Sequence, residues 1–235
     1  MKDSNEIERL RQLYTEQYPT SGIDTSYSWH PRNPISMYYR HAQERALVSM
    51  LNELDLEIRE INILDVGSGS GSLLRFLSSL GSNPYSLHGV DLIPERVSVA
   101  HKNSPKPINY SVCNAQHLPY PNGSFDLTCL FTVFSSIWDD GLKSSVAQEI
   151  TRVLKDNGYL IWYDMYYSKS SNTKSISFSE IKSLFPNLEA VYRKKLNSSL
   201  TSKFAKHSFL ICDILDRLPF IRKTHNLCLL KKIAG

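Results

Sequence analysis

Ile63-Leu64-Asp65-Val66-Gly67-Ser68-Gly69-Ser70-Gly71 is an apolar run that ends in an acid and then in three alternating glycines. Ile61, Ile63, Leu64 and Val66 suit a central strand of a parallel sheet, and the glycines let the backbone turn sharply and approach a ligand closely. Residues 72–80 have a helical pattern, with Gly81 placed to cap its end. A strand, a glycine turn and a helix N-terminus together make a nucleotide-binding crevice.

The spacing narrows the nucleotide. A dinucleotide fold needs G-x-G-x-x-G/A, yet the third position is Ser72 counted from Gly67 and Leu74 counted from Gly69. What fits is D-x-G-x-G-x-G, with Asp65 at the strand end. This resembles the first motif of class I S-adenosylmethionine-dependent methyltransferases. The resemblance implies a cofactor carrying an ammonium and a sulfonium, and an Asp65 that orders the glycine loop and attracts the methionine amino group.

Further signals follow in order. The strand-like run 85–90 ends in Asp91, about 20 residues beyond the glycine loop, where an acid can take both alcohols of a ribose. Pro94 then opens a helix over 95–101. A third strand over 108–112 leads into Cys113-Asn114-Ala115-Gln116-His117-Leu118-Pro119. The family usually has Asp where Asn114 stands; the Asn114 carbonyl can still accept from the adenine amino group. Residues 124–131 match the family's Ser-Phe-Asp strand, and 149–160 match its helix, Asn157-Gly158 turn and fifth strand, which runs on to Asp164.

Over residues 60–165 the resemblance implies an α/β, Rossmann-like class I methyltransferase fold. Its sheet has seven strands, mostly parallel with an antiparallel last strand, and helices on both faces. S-adenosyl-L-methionine is the implied cofactor, contacted by Asp65, Gly67, Ser68, Gly69, Gly71, Asp91, Leu92, Asn114, Ala115, Gln116 and Phe131.

Composition sets the surroundings of this site. The 235 residues suffice for a methyltransferase domain over 57–235 with an N-terminal helical lid over 1–56. No run of about 18 apolar residues predicts a membrane span, and the polar start does not read as a signal peptide. The four cysteines have neither metal spacing nor a paired framework, so reduced thiols in the cytoplasm and no metal are expected. Ten Lys/Arg against two acids from Ala190 onward give that part +8, although the whole chain carries only +4. Such a basic part reads as solvated faces, or as attraction to an anionic acceptor or to a membrane surface by peripheral contact. Nucleic acid is not expected: Phe131-Thr132-Val133-Phe134 replaces the Asn/Asp-Pro-Pro-aromatic tetrad of base methyltransferases, and no aromatics interleave the basic stripe. Either a monomer or a homodimer is compatible.

The flanks bear on the acceptor. A helix over 5–18 carries Ile7, Leu10, Leu13 and Tyr14 on one stripe, and a second helix is expected over 36–54. Between them, Trp29 can wall a substrate pocket and Arg32 can meet a carboxylate or phosphate. Phe134, Trp138 and Tyr163 are the other expected substrate contacts. His30, His41, Asp139 and Asp164 are the candidate catalytic bases, His30 and Asp139 foremost, with Asp139 alternatively capping a helix that starts near Asp140. Beyond Asp164, a helix over 179–185, a strand over 189–196, a helix over 207–218 and a last strand over 225–233 complete the pattern. The pieces Trp29-His30-Pro31-Arg32-Asn33-Pro34, Phe131-Thr132-Val133-Phe134-Ser135-Ser136 and Leu218-Pro219-Phe220-Ile221-Arg222 resemble a bacterial methyltransferase group linked to surface glycans and small metabolites. The resemblance implies methylation of a small acceptor, foremost at oxygen of a sugar, phosphosugar or related metabolite. Methylation at nitrogen or carbon, or an inactive cofactor-binding partner subunit, are the alternatives.

Overall fold

The computed structural model describes residues 2–16, 32–53, 57–168 and 171–233. Helices α1 (Lys2–Glu16) and α2 (Pro34–Glu53) precede β1 (Ile63–Val66), α3 (Ser72–Ser79), β2 (Leu87–Asp91), α4 (Pro94–Asn103), β3 (Asn109–Val112) and β4 (Phe125–Phe131). After these come α5 (Asp140–Val153), β5 (Leu154–Met165), α6 (Phe178–Leu184), β6 (Leu188–Leu196), α7 (Phe209–Asp216) and β7 (His225–Lys232). The seven strands form one sheet in the order β3-β2-β1-β4-β5-β7-β6. β1 to β5 pair in parallel, and β7 runs antiparallel to both β5 and β6. The fold is the Rossmann-like one that the glycine motif implies.

Alternation along the strands divides the core in two. Leu64, Leu130, Leu160 and Trp162 pack with α5 and α6 on one face, while Ile63, Cys129, Ile161 and Tyr163 pack with α2, α3 and α4 on the other. Leu10 of α1 joins the first core, so the N-terminal helix packs on the same face as α5.

Two local features depart from the sequence pattern. Asn157-Gly158 does not end a helix before a separate strand. Instead β5 begins at Leu154, and Asn157 takes φ 62° within it, where the register with β4 slips from Phe125↔Leu154 to Leu127↔Tyr159. That pair is a bulge in a long strand. The helix expected over 207–218 is shorter, and a 3-10 helix, Thr201–Lys206, precedes it.

β1 lies between β2 and β4, so the chain leaves its neighbours toward opposite sides of the sheet. The crevice of a parallel α/β sheet opens at that switch point, beyond the carboxyl ends of the strands.

Candidate active site

The glycine turn is built from left-handed backbone. Gly67, Gly69 and Gly71 have φ of 73°, 53° and 79°, a region costly for residues with a Cβ. Gly67 N and Ser68 N donate to Val90 O at 2.8 and 2.9 Å, and Gly69 N donates to Asp91 Oδ2 at 2.8 Å. The other Asp91 oxygen accepts from Ile93 N at 2.9 Å. Space is as restrictive as φ. A Cβ on Gly67 would lie 2.5 Å from Val133 Cγ2, and one on Gly71 would strike the Tyr110 ring and hydroxyl.

The glycine turn is tied to the end of β2 by Val90 and Asp91. Asp65 shares the parity of Ile63 along the strand, which turns it into the α2–α3 core, where it is 2 % exposed. Burial and the nearby charge of Asp91 push its carboxyl well above the usual carboxylate range. Burial raises Asp91 also, against the lowering effect of Ile93 N–H, Arg96 and Gly69 N–H.

A cavity of about 150 Å³ opens at the switch point. Gly67, Asp91, Leu92, Asn114, Ala115 and Phe131, all expected from the sequence, line it. Asp65, Ser68, Gly69, Gly71 and Gln116 are not among the residues that line it. Asn114 and Gln116 clip each other: Gln116 N donates to Asn114 Oδ1, and Asn114 Nδ2 to Gln116 Oε1, both at 3.0 Å. A carbonyl oxygen has two lone pairs, so Asn114 retains one for an adenine amino group.

At the other end of the cavity, Thr132 takes φ 55° directly after β4. A β-branched residue in that region is strained by about 1–3 kcal/mol, and such strain gathers at functional sites. The conformation is held by Thr132 N donating to Tyr163 O at 2.8 Å and by Ser136 Oγ donating to Thr132 O at 3.1 Å. Phe131 stacks on Tyr163 (5.3 Å between centroids), and Tyr163 stacks on His225 (5.0 Å, 9°). Burial pushes His225 down to about 3, so this ring is neutral.

Helix α1 forms the roof. Ile7, Leu10 and Tyr14 line the cavity from above. Arg9 bridges Glu6 at 2.8 Å, donates to Ser136 O at 2.5 Å and lies 4.0 Å over the Trp138 ring. Trp138 N donates to Glu6 Oε1 at 2.6 Å, and the Tyr14 hydroxyl bonds Ser136 Oγ. Burial opposes ionisation of Glu6, but Arg9 and the Trp138 N–H hold its carboxyl below the usual range. With this roof in place the cavity is small against the ~300–1,000 Å³ typical of ligand pockets.

Several expected residues stand elsewhere. Phe134 is fully buried against Phe185 at 6.0 Å, and Tyr163 lies under Phe131, so neither ring walls the cavity. Trp138 is a seat for Arg9 rather than part of the lining. Asp139 Oδ1 accepts from Leu142 N at 2.8 Å, which caps α5. Arg32 is exposed just ahead of α2 and is not among the residues that line this cavity. Trp29 and His30 lie outside the described residues. Sequence reading missed Thr132, Ser136 and Arg96, which line the cavity. Only the position of Phe131-Thr132-Val133 at the end of a strand signalled the first two. Arg96 sits one residue past the acid of α4's first turn and 4.5 Å over the Tyr14 ring.

The lining suits the implied cofactor. Asp91 has lone pairs left for a ribose diol, Asn114 and Ala115 stand where adenine would lie, and the Gly67 cradle leaves no room for a side chain. Residues 64–162 match a family described as a methyltransferase domain. These residues are a class I methyltransferase domain. The chain is 30 % identical over 116 residues to an uncharacterized methyltransferase, YcgJ, of Bacillus subtilis (strain 168), a match covering 46 % of this chain and 42 % of that protein. It is 27 % identical over 170 residues to the ajmaline N-methyltransferase of Rauvolfia serpentina, covering 70 % of this chain and 54 % of the relative. The chain thus spans about half the length of the curated relatives it matches. The solved structure of an S-adenosylmethionine-dependent methyltransferase from Mesorhizobium loti superposes with a TM-score of 0.62 over 81 % of this chain and 98 % of the other, at 15 % identity, a likeness of fold alone. The family match takes in the glycine turn, Asp91 and the Asn114-Ala115 loop, while the roof helix and the residues beyond 162 lie outside it.

Proposed function

We propose that the protein methylates a small acceptor with S-adenosylmethionine, the acceptor entering beneath α1 at the end of β4. The observation that carries this reading is the strained Thr132 at one end of a cavity whose other end holds Asp91 and Asn114-Ala115. The bound cofactor supplies an electrophilic methyl group on a sulfonium. Asp91 holds the ribose, Asn114 and Ala115 the adenine, and Gly67 with Phe131 borders the methionine end. At the Thr132 end the lining is backbone, aliphatic and aromatic, with Tyr14, Thr132 and Ser136 as its hydroxyl-bearing residues. That composition serves transfer, because a carboxylate beside the sulfonium would hold the reactant more strongly than the transition state. Alignment supplies much of the rate. Residues 1–56 serve as the lid, and reduced thiols at all four cysteines are compatible with a cytoplasmic site.

The acceptor atom is oxygen on a sugar, phosphosugar or related metabolite, with His30 as the base, Trp29 and Arg32 as acceptor contacts, and the basic C-terminal part drawing an anionic acceptor. A second reading, transfer to nitrogen, is favoured by the relative whose name is ajmaline N-methyltransferase and by the aliphatic roof, since a neutral amine needs no base. Calorimetry with S-adenosylhomocysteine tests the cofactor, and absence of binding overturns the whole reading. Incubation with the methylated cofactor and separate sets of sugars, phosphosugars and apolar amines, read by mass gain, tests the acceptor. Methylation of amines alone replaces oxygen by nitrogen.

A further inference from the structure

The connection from β6 to β7 carries an apolar face that the methyltransferase reading does not use. Leu196 pairs with His225, which in turn pairs with Met165 at the carboxyl end of β5. Residues 197–224 therefore project from the same sheet edge as the cleft. Seven of the twelve large exposed hydrophobic residues among the described ones fall within residues 200–220, and the other five are scattered.

The inner side of this insertion is firmly tied down. Cys212 is buried and donates to Thr201 O at 3.4 Å, and Tyr38 of α2 donates to Asp216 at 2.6 Å. Arg45 holds Asp213 at 2.8 Å, and Lys223 holds Asp216 at 2.7 Å. The outer side is apolar. Leu210, Ile211 and Ile214 are 69 %, 42 % and 55 % exposed, and their spacing on α7 places them on one face, opposite Cys212 and Asp216. Phe204 and Phe220 extend the patch at 40 % and 77 % exposure.

Charge selects the occupant. Lys203, Lys206, Arg217 and Arg222 are exposed around the apolar face. Both acids of the insertion are engaged: Asp216 by Tyr38 and Lys223 on the inner side, and Asp213 by Arg45 in an exposed pair at the edge. An apolar stripe rimmed by cations, with both of its acids already paired to cations, is the pattern of a segment that lies in the interface of an anionic membrane. A second copy of the chain fits less well: in a two-fold contact Lys203, Lys206 and Arg217 would meet their own counterparts, while Asp213 and Asp216 are already paired with Arg45 and Lys223.

We propose that the β6–β7 insertion docks the protein on anionic lipid bilayers, with α7 lying in the interface plane. Docking would hold the carboxyl edge of the sheet, and with it the cleft, beside the membrane. It does not depend on the identity of the acceptor, or on methyl transfer.

Flotation of the full chain with vesicles of phosphatidylcholine, with and without phosphatidylserine, tests this. Binding to the phosphatidylserine vesicles should exceed that to phosphatidylcholine alone by roughly tenfold or more in moderate salt, and fall steeply as salt rises. Leu210→Ser with Ile214→Ser, and separately Lys203→Glu with Arg217→Glu, should each abolish it while the melting temperature and S-adenosylhomocysteine affinity stay unchanged. Absence of vesicle binding, equal binding to neutral and anionic vesicles, or retention by both variants overturns the proposal. So does a dimer in sedimentation that the Leu210→Ser, Ile214→Ser variant dissociates while the native chain ignores vesicles.

Discussion

Gly69 donates its backbone N–H to Asp91 Oδ2 at 2.8 Å, so the glycine turn and the end of β2 form one unit. Asp91 both shapes the loop and faces the cavity. Hydrogen bonds to a charged group contribute about 1.5–3 kcal/mol. Asp91→Ala should therefore weaken S-adenosylhomocysteine binding by roughly tenfold to a hundredfold in calorimetry, and lower the melting temperature as well. Asp91→Asn should fall between, because its carbonyl can serve only one of Gly69 and Ile93. An unchanged affinity in Asp91→Ala would remove it from the cofactor site.

The glycines separate by what surrounds them. Gly67→Ala adds a methyl 2.5 Å from Val133 Cγ2, whereas Gly69→Ala meets only Arg96 Nη1 at 3.4 Å. Both bear the left-handed strain of about 1–2 kcal/mol; Gly67→Ala bears the clash too. Thermal unfolding should show Gly67→Ala as the more destabilised, and Val133→Ala should recover part of that loss while doing nothing for Gly69→Ala. Equal destabilisation of the two glycine variants contradicts this.

The fold was legible because its signals are local. Asp65 to Gly71, Asp91 and Asn114-Ala115 stand at strand ends that any parallel sheet brings to one edge. The bond from Gly69 to Asp91 was not legible, since only the β1–β2 register brings the two together. The roles of Phe134, Trp138 and Tyr163 were hidden for a similar reason. Aromatics after a strand can face the cleft or the core, and the strained turn at Thr132 sends Phe134 into the core. The Arg9–Trp138 contact joins residues more than a hundred positions apart, beyond the reach of any periodicity.

Arg9 fastens the roof. Its guanidinium joins Glu6, Ser136 O and the Trp138 ring, while its own side chain is 25 % exposed. Arg9→Ala should loosen α1 over the cavity, raising the dissociation rate of S-adenosylhomocysteine several-fold in stopped-flow measurements. Arg9→Lys should recover only part, since an ammonium cannot bridge three partners in one plane. Identical rates in all three proteins would show that α1 does not retain the cofactor.

Asp139 and His30 can be told apart by conservative replacement. Asp139→Ser keeps a capping oxygen for Leu142 N and removes the acid, so methyl transfer should persist with little change in stability. Asp139→Ala should cost about 1 kcal/mol of stability through the lost cap. His30→Gln should lower turnover by orders of magnitude with cofactor affinity intact. Loss of turnover in Asp139→Ser, or normal turnover in His30→Gln, reverses the assignment.

Asp164 gives the fold a measurable pH dependence. It is fully buried, and burial raises its carboxyl to about 6 although Ser135 N and Met165 N donate to it at 3.0 and 2.8 Å. A raised acid is protonated in the folded chain where the unfolded chain has already released its proton. Stability from this group is therefore present at low pH, falls as pH rises from the unfolded value near 3.8 to about 6, and is flat above. The shift is worth about 3 kcal/mol. Asp164→Asn does not titrate, and the other carboxylates act alike in both proteins, so the difference between the two isolates the effect. Urea unfolding should show native stability declining relative to Asp164→Asn between about pH 4 and pH 6. A difference that stays constant across that window means that Asp164 is ionised throughout, and that the two backbone N–H groups outweigh its burial.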